Sequence, residues 1–269
     1  MSRLLCLDLN FEVRYNYKIV ASLRPEIIVH TGGFPVTNTI VSTLLVDAVI
    51  ISLIFIAYKN IHLVPRGIQS VFEPAIEYFY SLTEQIAGHK AATIFPWFAS
   101  FFFFIVFANF IALLPGFGSI GFWETVGEHG KKAKELIPLF RAVTSDFNAT
   151  FALGTVSVVA THVIAFRYNG LIGYLKKFLS PNPINLFIGL LEFGLEGVKI
   201  FSLAFRLFGN IFAGEIVLAT VSGLFAFLAP IPFLMLETIV ALVQALVFSM
   251  LTMVFMSLLA TTSSEGGGH

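Results

Sequence analysis

The sequence predicts an all-α, polytopic membrane protein, and three observations carry that reading. Of its 269 residues, 57% are hydrophobic and only 12% are charged, with a mean hydropathy of +0.88; a soluble globular domain carries about 25% charged residues. Several apolar stretches reach the roughly 20 residues that a bilayer span needs. The last two flank a Pro230-Ile231-Pro232 turn, so they form a long C-terminal hairpin. Phenylalanine alone supplies 31 residues. Water could not hide so much apolar surface, because part of any folded surface stays wet; lipid removes the difficulty.

Residues 1–35 read as an N-terminal extramembrane segment, 36–260 as a single membrane domain and 261–269 as a C-terminal tail. Arg3, Asp8, Glu12, Arg14, Lys18, Arg24 and Glu26 interrupt the first thirty residues, leaving no apolar core of signal-peptide length. The first span, 36–58, is therefore expected to act as its own insertion signal; it is broken only by Asp47. Residues 66–88 space Val71, Phe72, Ile76, Phe79 and Leu82 along one helical face, with Glu73, Glu77 and Glu84 elsewhere. That pattern predicts an amphipathic helix lying at the interface rather than crossing it.

The second span covers 94–114. Residues 115–143 read as a polar, Gly-rich connection containing Lys131, Lys132, Lys134 and Glu135, and the third span covers 147–166. A basic link with Arg167, Lys176 and Lys177 leads to Pro181 and Pro183. From 184 to 227 no proline intervenes. Forty-odd helical residues extend about 60 Å at 1.5 Å per residue, roughly twice the hydrocarbon thickness, so this helix must tilt steeply. The last span, 233–260, completes the hairpin and brings the membrane-embedded helices to about five. Charge does not settle orientation: an outer N-terminus would put more Lys and Arg outside than the positive-inside tendency favours.

Sixteen Lys+Arg balance sixteen Asp+Glu, so no basic field points to nucleic acid. The single cysteine, Cys6, excludes an intrachain disulfide and a cysteine-based metal cluster. No histidine pair has helical metal spacing and no phosphate-binding glycine loop occurs, so neither metal nor cofactor is expected.

The chemistry is concentrated in the long helix, which carries Glu192, Glu196, Lys199, Arg206, Asn210 and Glu215 in an otherwise apolar run. A charge at the bilayer centre costs roughly 2.5–3.5 kcal/mol on insertion scales, so the set needs a reason. At 100° per residue, Glu192, Lys199, Arg206 and Asn210 fall within about 40° of one another; Glu196 lies at the edge of that stripe and Glu215 on the opposite face. Across the hairpin, Glu237 and Gln244 are seven residues apart and share a face. Two polar paths insulated by an arginine need such an arrangement. A guanidinium favours an ionised carboxylate beside it but does not give up its own proton. The plainer reading is a set of buried ion pairs, Glu192–Lys199 for example, that fix helix register. It accounts for one pair better than for the whole set on one over-long helix.

Lesser candidates are Asp146 and Asn148 with Thr150, at a span entrance where an Asp also makes a good helix cap. His162 reads as a packed or hydrogen-bonded histidine and His89 and His269 as solvent-facing, while Asp47 is a lesser candidate for lining a polar pocket.

The stretch SLAFRLFGNIFAGEIVL, 202–218, closely resembles the signature of the F-type ATP synthase subunit a family. PRGIQSVFEPAIEYF, FPWFASFFFFIVFANFIALLPG, SDFNATFALG and QALVFSMLTMVFMSLLA follow the family order, so the resemblance covers 35–260. It implies a non-catalytic stator subunit of the membrane Fo sector, with a c-ring, subunit b of the peripheral stalk and the other synthase subunits as partners. Arg206 would face the ring as the coupling and barrier residue. Asn210, Glu215, Glu237 and Gln244 match positions of the inlet half-channel, and Glu192 the acidic position of the opposite one. Family members commonly pair an acid at one of the Glu215 and Glu237 positions with histidine at the other. Two glutamates here should share a proton if they are close, which suits a relay and also leaves Na⁺ open beside H⁺. The SSEGGGH ending looks bacterial, placing the chain in a plasma (inner) membrane, with the mitochondrial inner membrane as the alternative.

Two other classes compete. A stand-alone transporter or channel often shows internal repeats and paired interrupted helices, and neither is present. A membrane-embedded hydrolase needs a nucleophile–base motif, and nothing links Ser202 or His162 into one.

Overall fold

The computed structural model describes residues 25–31, 34–59, 67, 69–114, 116–117, 120–128, 131–178, 183–224 and 230–260. Cys6, His269 and the charged residues 1–24 lie outside the described residues, as do Pro181 and the tail 261–269. Six long helices dominate: α1 (Asn38–Lys59), α2 (Gln69–Ala87), α3 (Ala91–Ala112), α4 (Phe147–Phe178), α5 (Pro183–Leu224) and α6 (Pro230–Ala260). By length and composition four stretches can cross a membrane: α1, Phe72–Ala112, Phe147–Gly170 and α6. The protein is an all-α polytopic membrane protein, and α5 and α6 form its long hairpin.

Two short antiparallel hairpins lie outside the helices. β1 (Ile27–Thr31) pairs with β2 (Phe34–Thr37), and β3 (Gly121–Glu128) pairs with β4 (Lys131–Pro138), from Gly121 opposite Pro138 to Glu128 opposite Lys131. The sequence reading assigned no secondary structure to 1–35 or 115–143, and the two hairpins lie largely within these segments. Two-stranded ribbons are set by cross-strand partners more than by one-face alternation, so the pattern along a single strand is weak.

Aromatic side chains zip α2 to α3. Phe72 meets Phe103 at 6.0 Å, Phe79 meets Phe102 at 4.8 Å and Tyr80 meets Phe95 at 5.2 Å between ring centroids. Rising residue numbers on α2 pair with falling ones on α3, so the two helices run antiparallel. Glu73, Glu77 and Glu84 stay exposed on the outer side of α2. Inside, α3 packs chiefly on α6. Phe98, Phe101 and Ile105 meet Phe248, Met253 and Met256, with Ile164 of α4 and Leu203 and Leu207 of α5 closing the core. A Ser157–Thr252 hydroxyl pair at 2.7 Å joins α4 to α6, the kind of polar link that supplements packing between helices in lipid.

The last carbonyls of α6 would lack helical partners, and side chains from two other elements bind them. Lys90, buried in the turn between α2 and α3, donates from Nζ to the Ala260 carbonyl at 3.0 Å, and Asn169 Nδ2 donates to the Leu259 carbonyl at 3.0 Å. A cation at a helix C-terminus also opposes the negative end of its dipole. Lys90→Met, which keeps the stem and removes the donor, is expected to cost about 1.5–3 kcal/mol, the range for a charged hydrogen bond. The denaturation midpoint of the detergent-solubilised protein would register it.

Candidate functional site

Helix α5 is held from inside and bare outside. Leu203, Ala204 and Leu207 are buried, and Phe147 and Phe151 of α4 pack on Phe205 and Phe201 at 5.0 and 5.4 Å. Arg206 lies on the outer surface, exposed, and no described residue hydrogen-bonds or ion-pairs with it. Along the same hairpin Phe205, Val198, Leu236, Ile239 and Val243 are exposed as well. A single guanidinium set in an exposed apolar surface is costly in lipid and calls for an anionic partner.

Towards the turn of the hairpin, the two glutamates meet. Glu237 of α6 is 6% exposed, and its carboxyl group occupies the space that a Cβ on Gly214 would need; a glycine is what admits it. Glu215 acts electrostatically on the carboxyl of Glu237, and itself feels the Arg141 guanidinium and the Ser145 hydroxyl. Arg141 is fixed by its own loop: Nε donates to Ser145 Oγ at 3.1 Å, Nη2 to the Ser145 carbonyl at 3.4 Å, and its backbone N–H to Ser42 Oγ of α1 at 2.9 Å. Two carboxyl groups beside one permanent cation are neutral as a set when they hold one proton between them. Neutrality is the form that burial favours.

One turn from Gly214, Asn210 Nδ2 donates to Gln244 Oε1 at 2.7 Å, joining α5 to α6. Thr144 Oγ1 donates to Asn109 Oδ1 at 2.6 Å. Asn109 Nδ2, Glu215 Oε2, Gln244 Nε2 and Ser249 Oγ are buried polar atoms without a protein hydrogen bond. Such atoms are where ordered water finds partners.

A second cluster lies at the other end of the hairpin, on the far side of Arg206 along α5. Glu196, 4% exposed, accepts from Lys199 Nζ at 2.7 Å through Oε1, while its Oε2 lies 3.7 Å from His162 Nε2. The example pairing Glu192–Lys199 from sequence is thus replaced by Glu196–Lys199, three residues apart on one face; Glu192 is half-buried one turn earlier. Lys199 also lies over the Phe255 ring at 4.6 Å. His162 Nδ1 shares a 2.9 Å hydrogen bond with the Tyr174 hydroxyl. Twelve residues of straight helix span about 18 Å, so this bond needs a break in α4. Gly170 makes it, with φ +67° and ψ 170°, a conformation open to glycine and not to side chains with a Cβ. Burial raises the pKa of the Tyr174 phenol above its ordinary value, and the Glu196 carboxylate adds to the rise.

The remaining candidates fall as follows. Asp146 Oδ1 accepts the backbone N–H of Asn148 at 2.9 Å, so Asp146 caps α4. Among the described residues, no group of three or more His, Cys, Asp and Glu could hold a metal ion. The sequence reading missed Arg141 and Ser145 as neighbours of the acid pair, the buried Thr144–Asn109 hydrogen bond, and Tyr174 as the partner of His162. The available signal was the position of Arg141-Ala-Val-Thr-Ser145 directly before a capped span.

The model of the ATP synthase A chain family matches residues 40–257. The chain is 30% identical over 235 residues to the "ATP synthase subunit a" of Moorella thermoacetica, covering 87% of this chain and 96% of the relative. It is 31% identical over 237 residues to the "ATP synthase subunit a 2" of Pelobacter propionicus, covering 86% and 90%. With a matched length that takes in the acid pair, the exposed arginine and the Glu196 cluster together, the chain belongs to the ATP synthase A chain family.

Proposed function

We propose that the chain is the stator subunit of the Fo sector of a rotary ATP synthase, carrying protons through two offset half-channels to and from a c-ring. The observation that carries this reading is the layout of the hairpin: two polar clusters, around Glu215–Glu237 and around Glu196, lie at opposite ends of α5 with exposed Arg206 between them. A channel closes around its own pore, whereas this hairpin presents its arginine outward, as a stator facing a partner would.

A proton entering past Asn109, Thr144 and the Arg141-balanced acid pair reaches Asn210 and Gln244 and neutralises a ring carboxylate. The neutral carboxyl can then face lipid, which an ionised one cannot cheaply do. After a turn of the ring, the carboxyl loses its proton on the Glu192–Glu196 side, and Arg206 favours its ionised form. Because Arg206 stays charged, no proton leaks directly between the paths.

Arg141 leaves the acid pair one positive charge short of neutrality, which a single shared proton would supply. The c-ring, subunit b and the other synthase subunits are the partners, and a bacterial plasma membrane is the location. ATP-driven acidification of inverted vesicles carrying the assembled complex is expected in sodium-free buffer, with no gain on adding sodium. A strict sodium requirement would overturn the proton reading.

A further inference from the structure

We infer that Glu196, His162 and Tyr174 form a proton relay that connects the outer face of α5 with the solvent-facing end of α4. The inference rests on the half-channel reading above and names the groups that move the proton at its Glu196 end.

The cluster holds more than its charge balance needs. Buried Glu196 is already balanced by Lys199, bound to Oε1 at 2.7 Å. A histidine facing the other oxygen adds nothing to that balance, yet Nε2 of His162 lies 3.7 Å from Oε2, and Oε2 has no hydrogen bond. A side-chain adjustment of about 1 Å closes this gap to a hydrogen bond. The other ring nitrogen is bound to a hydroxyl, a group whose single oxygen both donates and accepts. Tyr174 can donate to a bare Nδ1 or accept from a protonated one, so both imidazole tautomers and the imidazolium remain satisfied. The kink at Gly170 brings that hydroxyl back over twelve residues of chain.

The charged and aromatic groups on the neighbouring helices lie on the Glu196 side of the relay. Helix α5 presents Glu196 and Lys199, with Glu192 one turn away, and α6 presents the Phe255 ring. Glu196 lies ten residues before Arg206, about 15 Å along the axis, at the edge of the stripe that carries the arginine outward.

The proton count balances at each step. A proton arriving on Glu196 Oε2 passes to Nε2 of His162. Nδ1 then releases its proton to the Tyr174 oxygen as that hydroxyl gives its own hydrogen to solvent. One proton enters and one leaves, and a flip of the His162 imidazole about its Cβ–Cγ bond restores the starting tautomer. During ATP-driven pumping the same steps run the other way.

The test uses the assembled complex in inverted vesicles, with ATP hydrolysis measured on the same preparation. His162→Gln keeps hydrogen-bonding capacity but cannot carry a proton, so pumping per ATP-hydrolysing complex is expected to fall by about tenfold or more, as when a positioned acid–base group is lost. Wild-type pumping in that variant overturns the relay. In His162→Ala, added imidazole is expected to restore pumping while thiazole, of similar shape but not basic enough to carry a proton, does not. Equal rescue by both, or by neither, assigns the histidine a space-filling role and also overturns the relay. Arg206→Ala in the same vesicles separates this from the parent reading: if it pumps normally, the half-channel scheme itself fails.

Discussion

Replacing Arg206 by alanine is expected to abolish ATP-driven proton pumping while the complex stays assembled. The expectation follows from where α5 is anchored. Its packing side is Leu203, Ala204 and Leu207, and the arginine on the opposite side forms no bond to a described residue that alanine would break. The folded hairpin therefore survives. On the proposed scheme, what disappears is the cation that would discharge a returning carboxylate and separate the two paths. Removing one preorganised charge-stabilising group costs on the order of a hundredfold or more in rate. Arg206→Lys should fail nearly as completely, because a lysine lacks the planar fork and can lose its proton in apolar surroundings. Pumping, hydrolysis and the amount of this chain in the membrane should be read on one preparation. Undiminished pumping in the alanine variant would show the arginine to be a structural residue.

The second large effect is expected at Gly214. A Cβ at this position overlaps the carboxyl group of Glu237, and Glu237 is too enclosed to swing freely into solvent. Gly214→Val should therefore displace the carboxyl from Glu215 and Arg141 and lower pumping by about tenfold or more, on the scale of losing a positioned proton-transfer group. The displaced group is the tip of a flexible side chain, so assembly should suffer far less than transport. A shorter acid should make room: Gly214→Ala is expected to be partly rescued by Glu237→Asp in the same chain. If Gly214→Val pumps at the wild-type rate, Glu237 is not held in place for proton transfer.

The features legible in sequence are those with local physical causes. The long hairpin was readable because some forty residues without proline can only continue as helix, and α5 runs unbroken from Pro183 to Leu224. The stripe of Arg206 and Asn210 followed from helical spacing alone. The neighbours of the acid pair did not, because Arg141 and Glu215 are 74 positions apart, and only the packing of the 143–145 turn against α5 brings them together. His162 looked solitary for a similar reason: its phenol partner is twelve residues along the same helix, and a regular helix would keep them apart. The glycine break that reverses this was present as Asn169-Gly170, but its effect on direction depends on a backbone angle the sequence does not print. The two β-hairpins stayed hidden because a two-stranded ribbon depends on cross-strand partners that neither strand's own pattern displays.

The bond from Lys90 to the Ala260 carbonyl joins positions 170 apart, and the aromatic side of α3 is completed by residues of α6. During ribosomal synthesis, then, the earlier helices emerge and enter the bilayer long before their final neighbour exists. In water an unfinished core of that size would invite aggregation. In hydrocarbon each helix already has its backbone bonds satisfied and its apolar surface solvated, so the nascent chain can wait. Closure of the bundle is therefore a late, post-insertion event, gated by arrival of the last helix and latched where the newest turn of chain meets one of the oldest.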